Sequence, residues 1–358
     1  DFFKIAFLSL PKVEEKESKE WTTSIKIKYK DSFLDDIKKQ LNSIQDEVLL
    51  FVNYINKLKV EIDDEQKIIE RIKDKTNIYL NDKLWTIFDY KEDSLLPKEY
   101  WKNEEEEYFD LKIAVKENFD IKDKYLLYSY FPTEINIDFP FIIHGTFELD
   151  SSRNNINNST RNSNILEKLV DFIANTAKEL TKNEVNYRAL EFLTHESSNQ
   201  RLKILEFYNK IDEKINELSI FPCIDNTYKS KEEVVFLGND FSEFIQINHF
   251  ENTFPNMLIS TKESDINLNN YDISKVIDLF LVDEISIKIK DTDIRARLIY
   301  LVYQYFKNSD YVFELLIDEN SETVSKNEEA YTPKFENMNK LALPSFLNEE
   351  IKFLDKQL

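Results

Sequence analysis

The chain has 358 residues, 47 of them basic and 68 acidic, for a formal net charge of -21. That balance argues against duplex nucleic acid as a partner, because phosphate neutralisation needs a basic surface. An apolar fraction of 42%, with 13% aromatics, is too high for a disordered chain and supplies core for at least two domains.

The only cysteine, Cys223, excludes an internal disulfide and a cysteine-based zinc site, and points to a cytoplasmic location. No run of about 18 apolar residues occurs and no signal-peptide pattern opens the chain, so it reads as soluble, without a membrane partner. Glycine, ordinarily about 7% of residues, occurs only as Gly145 and Gly238. Glycine-built phosphate cradles are therefore absent from these residues. The chain opens at Asp1 with DFFKIAFLSLPK, which reads like the middle of a strand, so a fragment of a longer protein is expected.

Residues 1–30 read as a strand, a charged loop and a second strand, in which Ile25 and Ile27 alternate with Lys26 and Lys28. Phe33, Leu34, Ile37, Leu41, Ile44, Val48, Phe51, Val52 and Ile55 then recur at spacings of three and four. This predicts one long amphipathic helix. From residue 57 to 150 the period changes to two, in KLKVEID, KTNIYL, LWTIFDY, FDLKIAV, KYLLYSYF and INIDFPFII, and predicts an antiparallel or mixed sheet. The acidic run at 104–107 reads as a solvated loop or a helix start. Helices return with stripes over 165–180 and 202–218. A strand and hairpin-like stretch follows at 220–237, then a helical run over 276–282, the apolar helix IRARLIYLVYQYF and a closing segment to residue 358. The fold class is α/β in the α+β sense, a mixed sheet with packed helices followed by a second, smaller domain, with a boundary between 219 and 220.

HGTFELDSSRNNINNSTRNSN, residues 144–164, breaks the acidic pattern, with no acid from 151 to 166. Its polar residues are donors: the Arg153 fork, the hydroxyls of Ser151 and Ser152, and several Asn amides. A helix follows, with Asn162, Ser163 or Asn164 as the expected cap. The residues leave two readings open, an anion site at a helix start or a polar turn with Arg153 in a structural ion pair. Residues 294–309 are also acid-free, but there Arg295 and Arg297 are expected to snorkel or pair from an apolar helix.

Competing chemistry is weaker. Asp35 with Asp36, Asp291 with Asp293, and Asp318 with Glu319 are acid pairs that could hold magnesium, but such pairs arise by chance in so acidic a chain. His144 reads as a strand-end histidine satisfied by backbone, Gly145 as a close approach, and Cys223 as a small buried apolar residue. Trp21, Trp85 and Trp101 read as core.

YFPTEINIDFPFIIHGTFELDSSRNNI resembles the middle-domain signature of GHKL-type ATPases, specifically sacsin and its bacterial relatives. It is more distantly similar to the ninety-kilodalton heat shock chaperones. WTTSIKIKYK resembles the last strand of a GHKL nucleotide-binding domain, and DSFLDDIKKQLNSIQDEVLLFVNYINKLKVEI the helix and strand that follow it. ELLIDENSETV, AYTPKF and LPSF near the end are also similar to sacsin-like chains. The resemblance implies that 1–30 ends a nucleotide-binding domain, 31–219 is a transducing middle domain and 220–358 a C-terminal α/β domain.

It implies further that Arg153 contacts the γ-phosphate of ATP, assisted by Asn157 and with Ser152 beside it. ATP and Mg2+ are then cofactors of the intact protein and are not bound by this stretch alone, since neither Asp-x-Gly-x-Gly nor the Glu/Asn helix is present in it. Asn157 stands where the family has Gln, and the general base has no counterpart here. The partners implied are the upstream nucleotide-binding domain, a homodimer formed through it, and a protein client or partner subunit. The role implied is coupling ATP hydrolysis to conformational change, chaperone-like or in a defence or regulatory assembly. The alternative is a non-catalytic interaction scaffold that kept the fold.

Overall fold

The computed structural model describes residues 31–62, 65–90, 94–101, 106–153, 155–318, 322–325, 330–331 and 352–353. The strands expected over 1–30, with Trp21, lie outside the described residues, as do Glu104, Glu105, Glu319 and most of the closing segment. The fold is α+β, with a mixed sheet of eight strands and, among the described residues, eight α-helices. The chain divides into two compact units, Asp1–Thr176 with Phe192–Asp212, and Ala177–Glu191 with Glu213–Leu358.

In the first unit, helix α1 (Leu34–Asn42) stops well short of the residue 55 that the apolar spacing predicts. Ser43 ends it, donating its hydroxyl to the Gln40 carbonyl at 2.8 Å. Leu49, Leu50 and Phe51 are then buried in succession. Three consecutive residues cannot share one side of a helix, so the chain leaves the helix to lay all three on the sheet.

That sheet is built from β1 (Lys57–Ile62), β2 (Glu65–Asp74), β3 (Asn77–Leu80), β4 (Lys83–Asp89), β5 (Leu111–Lys116), β6 (Leu126–Ser129), β7 (Phe131–Asn136) and β8 (Ile142–Gly145). The order is β1-β2-β3-β4-β5-β8-β6-β7. Every pairing is antiparallel except β6 beside β8, which is parallel. Strand β2 is absent from the period-two prediction because Ile68 and Ile69 are adjacent; its two neighbours recruit it, and only Ile69 is fully buried. Ile69, Ile78, Leu80, Trp85, Ile87 and Ala114 form a core against Leu49, Leu50 and Phe51.

Helix α2 (Thr160–Leu180) follows the donor-rich tract and buries Ile165, Leu166, Leu169, Val170 and Ile173, as its stripe predicts. Helix α3 (Arg188–Leu193) is short. The single helix expected over 202–218 is instead α4 (Gln200–Ile204) and α5 (Phe207–Glu217), parted where Glu206 takes a left-handed φ of 57°. Such a backbone cannot continue a right-handed helix.

In the second unit β9 (Phe221–Pro222) pairs antiparallel with β10 (Tyr228–Lys229), the hairpin expected there. Helices α6 (Asn239–Ile247), α7 (Phe280–Lys288) and α8 (Thr292–Phe306) enclose a core of Phe241, Phe244, Ile245, Val282, Ile285, Leu298, Leu301 and Val302. Helix α7 begins at Phe280, later than expected, because Asp278 accepts the Phe280 N–H at 3.0 Å and starts the turn there. Short strands β11 (Ala330–Tyr331) and β12 (Lys352–Phe353) pair in parallel. No helix among the described residues is long and apolar enough to cross a membrane.

Candidate functional site

The donor-rich tract folds as a tight reversal between β8 and α2. The Asn157 N–H donates to the Glu148 carbonyl and the Asp150 N–H to the Asn155 carbonyl, both at 2.9 Å, with Leu149 opposite Ile156 between them. At the tip the Arg153 N–H donates to the Asp150 carbonyl at 2.9 Å, and Arg153 sits at a left-handed φ of 60°. A long side chain at that φ is uncommon and has to be held by its surroundings.

Asn162 does the holding. It is fully buried, and its amide donates to the carbonyls of Glu148 and Asn157 at 2.8 Å each while its oxygen accepts the Glu148 N–H at 2.9 Å. The helix cap is therefore not Asn162, Ser163 or Asn164. It is Ser159, whose hydroxyl accepts the Asn162 N–H at 3.3 Å, because the Asn162 side chain is committed to the loop below it. Arg161 is paired with Glu107, the last residue of the acidic run.

Arg153 itself is exposed. Among the described residues its guanidinium makes one hydrogen bond, from Nη2 to the Ser129 carbonyl at 3.4 Å, long for such a bond, and no carboxylate pairs with it. Ser152 gives its hydroxyl to Asp150 at 2.7 Å, and Asn157 gives its amide to the Leu149 carbonyl at 3.0 Å. These two donors are engaged inside the loop.

The Ser129 carbonyl belongs to a second tight reversal, in which Ser129 pairs directly with Phe131 and Tyr130 alone links β6 to β7 at a φ of 65°. Fully buried His144 supports it. The Tyr130 N–H donates to His144 Nδ1 at 3.2 Å, which assigns the ring hydrogen to Nε2. The imidazole stacks on Phe51 at 4.9 Å between centroids and meets the Tyr130 ring edge-on at 4.9 Å.

His144 Nε2 faces Asp110 Oδ2 at 3.5 Å, beyond a normal hydrogen bond, and has no nearer partner among the described residues. Sheet register places His144 opposite Lys112 and Lys112 opposite Asp89. The Lys112 ammonium lies 2.8 Å from Asp110 and 3.3 Å from Asp89. The Asp110 carboxyl is lowered to about 2, by the Nε2–H of His144 directed at it first and by the Lys112 ammonium next, against the opposing effect of burial. Burial alone would lower Lys112, but the two carboxylates outweigh it and raise the ammonium.

The structure thus brings Arg153 and His144 to the two sides of the Ser129–Tyr130 reversal. Ser129 and Tyr130 have no sequence signal, since tyrosine is a rare occupant of left-handed backbone. Asp110 and Lys112 did have one, a spacing of two that puts both on one face of a strand. Gly145, next to His144, allows a close approach, because a Cβ there would lie 2.4 Å from the Phe147 ring.

The rival groups have structural roles. Asp291 caps α8, accepting the N–H groups of Asp293 and Ile294, and Asp318 accepts the Glu322 N–H. Asp35 and Asp36 lie in the first turn of α1. Among the described residues no group of three or more His, Cys, Asp or Glu is arranged to hold a metal. Cys223 is buried, and burial pushes its thiol up to about 12. Trp85 is fully buried, and Trp101 donates to the Leu96 carbonyl at 2.7 Å. No family model, curated protein or solved structure matches the chain.

Proposed function

We propose that this chain is the coupling region of a sacsin-like GHKL ATPase and that Arg153 is its contact to the γ-phosphate of ATP held by an upstream domain. One observation carries the reading: in a chain of net charge -21, Arg153 presents an exposed guanidinium with no carboxylate partner among the described residues. A planar fork of N–H donors matches a phosphate in geometry as well as charge. Charge that develops on the γ-phosphoryl oxygens is stabilised by a cation already in place, and such an arginine is worth about 10³-fold in rate or more. Asn162 supports that role by fixing the loop, and Ser152 and Asn157 shape it from within. Bound MgATP supplies the phosphoryl group; this chain contributes the arginine and its rigid mounting.

The test is ATP turnover by the full-length protein. Arg153→Ala is expected to lower turnover about 10³-fold while nucleotide affinity changes less than about threefold. Arg153→Lys should recover little, because a point charge lacks the fork. Turnover left intact in Arg153→Ala would overturn the assignment. A full-length protein that neither binds nor hydrolyses ATP would instead be the non-catalytic scaffold.

A further inference from the structure

Buried polar groups are ordinarily satisfied, and His144 is satisfied on one side only. Its Nδ1 is used by Tyr130, while its Nε2, fully buried, faces Asp110 from too far for a good hydrogen bond. The groups around the ring are Asp110 and Lys112 at β5, Tyr128 beside it in β6, Tyr130 at the reversal, and Phe51 stacked below. The ring is therefore set to receive one N–H, that of the residue whose left-handed backbone makes the β6–β7 reversal. One residue earlier in that reversal is Ser129, whose carbonyl is, among the described residues, the one acceptor of the Arg153 guanidinium.

We propose that His144 is a positioning residue for Arg153: by accepting the Tyr130 N–H, its neutral ring holds the reversal in the form whose Ser129 carbonyl receives the arginine. This rests on Arg153 being the phosphate contact. A hydrogen placed on Nδ1, by tautomer exchange or protonation, sets donor against donor, and the reversal has to move. Tyrosine would not keep left-handed backbone unaided, so the loss of this bond is transmitted to Ser129 and not absorbed locally.

Two measurements on the full-length protein test the proposal. The first uses protein labelled with nitrogen-15 in histidine only; this chain contributes three such residues, and His144 is identified by the signal missing from His144→Asn. A neutral ring with a bare Nδ1 is expected, and an Nδ1–H tautomer overturns the proposal.

The second compares ATP turnover in His144→Leu, which removes the acceptor, and His144→Asn, whose amide oxygen reaches toward the Nδ1 position. About a tenfold loss is expected in the first, the weight of one hydrogen bond, with most of it recovered in the second and affinity for ATP unchanged in both. If Arg153→Ala lowers turnover and His144→Leu does not, the positioning role is overturned and the phosphate contact stands. If Arg153→Ala has no effect, the phosphate contact fails, and the positioning role fails with it. Should His144→Leu not fold, an equal loss in His144→Asn and Arg153→Ala also overturns the role.

Discussion

Arg153 and Arg295 both stand in acid-free stretches of an acidic chain, residues 151–166 and 294–309, yet the molecule uses them in opposite ways. Arg295 is buried and, among the described residues, neither snorkels nor pairs with an acid as its sequence suggests. Nη1 donates to Ser286 Oγ at 2.9 Å and the Leu315 carbonyl at 2.8 Å, and Nη2 donates to the carbonyls of Ser286, at 2.7 Å, and Ile289. It closes the C-terminal end of α7, where carbonyls lack helical partners and a cation is favoured. Burial lowers its guanidinium. Arg297, on the other face of α8, does pair, lying 3.8 Å from Asp240 and over the Tyr300 ring. Arg153 is exposed, and among the described residues its guanidinium has one long bond. Absence of acid therefore means backbone satisfaction in one place and an unclaimed cation in the other.

The sharpest way to break this contrast is to truncate both arginines. Arg295→Ala leaves several carbonyls of α7 and of the segment near Leu315 without a donor, and is expected to cost about 4 kcal/mol in denaturant unfolding. Arg153→Ala should change stability by less than about 0.5 kcal/mol, as exposed sites do. Equal costs at the two positions would erase the distinction.

Next in size is Asn162→Ala. It orphans the Glu148 N–H and the carbonyls it holds, and should cost about 2–3 kcal/mol. Limited proteolysis of this variant should cut near residue 153, whereas an intact loop would mean that Asn162 is not the clamp.

Gly145→Ala forces a methyl against the Phe147 ring and is expected to cost about 1–3 kcal/mol, with Phe147→Leu recovering part of the loss. Two independent, additive costs would show that the ring is not what excludes the methyl.

The smallest effect belongs to Asp110. Its folded carboxyl is lowered from 3.8 to about 2, so its contribution is complete above 3.8 and disappears as pH falls toward 2. Asp110→Asn should flatten that part of the acid-unfolding curve, by a modest amount because the side chain is partly exposed and screened.

Much of the fold was legible from residue periods. Alternating runs placed β1, β3, β4, β5 and β8, and the three-and-four stripe placed α2. Failures came where tertiary burial overruled a local pattern: Leu49, Leu50 and Phe51 pulled the chain out of α1, Glu206 split α4 from α5, and β2 formed with its isoleucines adjacent. At the candidate site Arg153 was legible as a donor in an acid-free tract. Its support was not, because Ser129 and His144 reach it through hydrogen bonds between residues 24 and 14 positions apart.

By itself the sequence determined what this chain cannot contain, namely an internal disulfide or a glycine-built phosphate loop, because both need residue types that are nearly missing. It determined most strands as well, since the alternation of apolar side chains is a property of neighbours in the chain. Tertiary structure alone decided where the left-handed positions fall in a protein with two glycines. Among the described residues ten that are not glycine take such a backbone, Tyr130, Asp138, Arg153 and Glu206 with them, and neither glycine does. It also decided the fates of the two arginines, because the carbonyls that satisfy or spare a guanidinium come from residues distant in sequence, and composition measures only what is near.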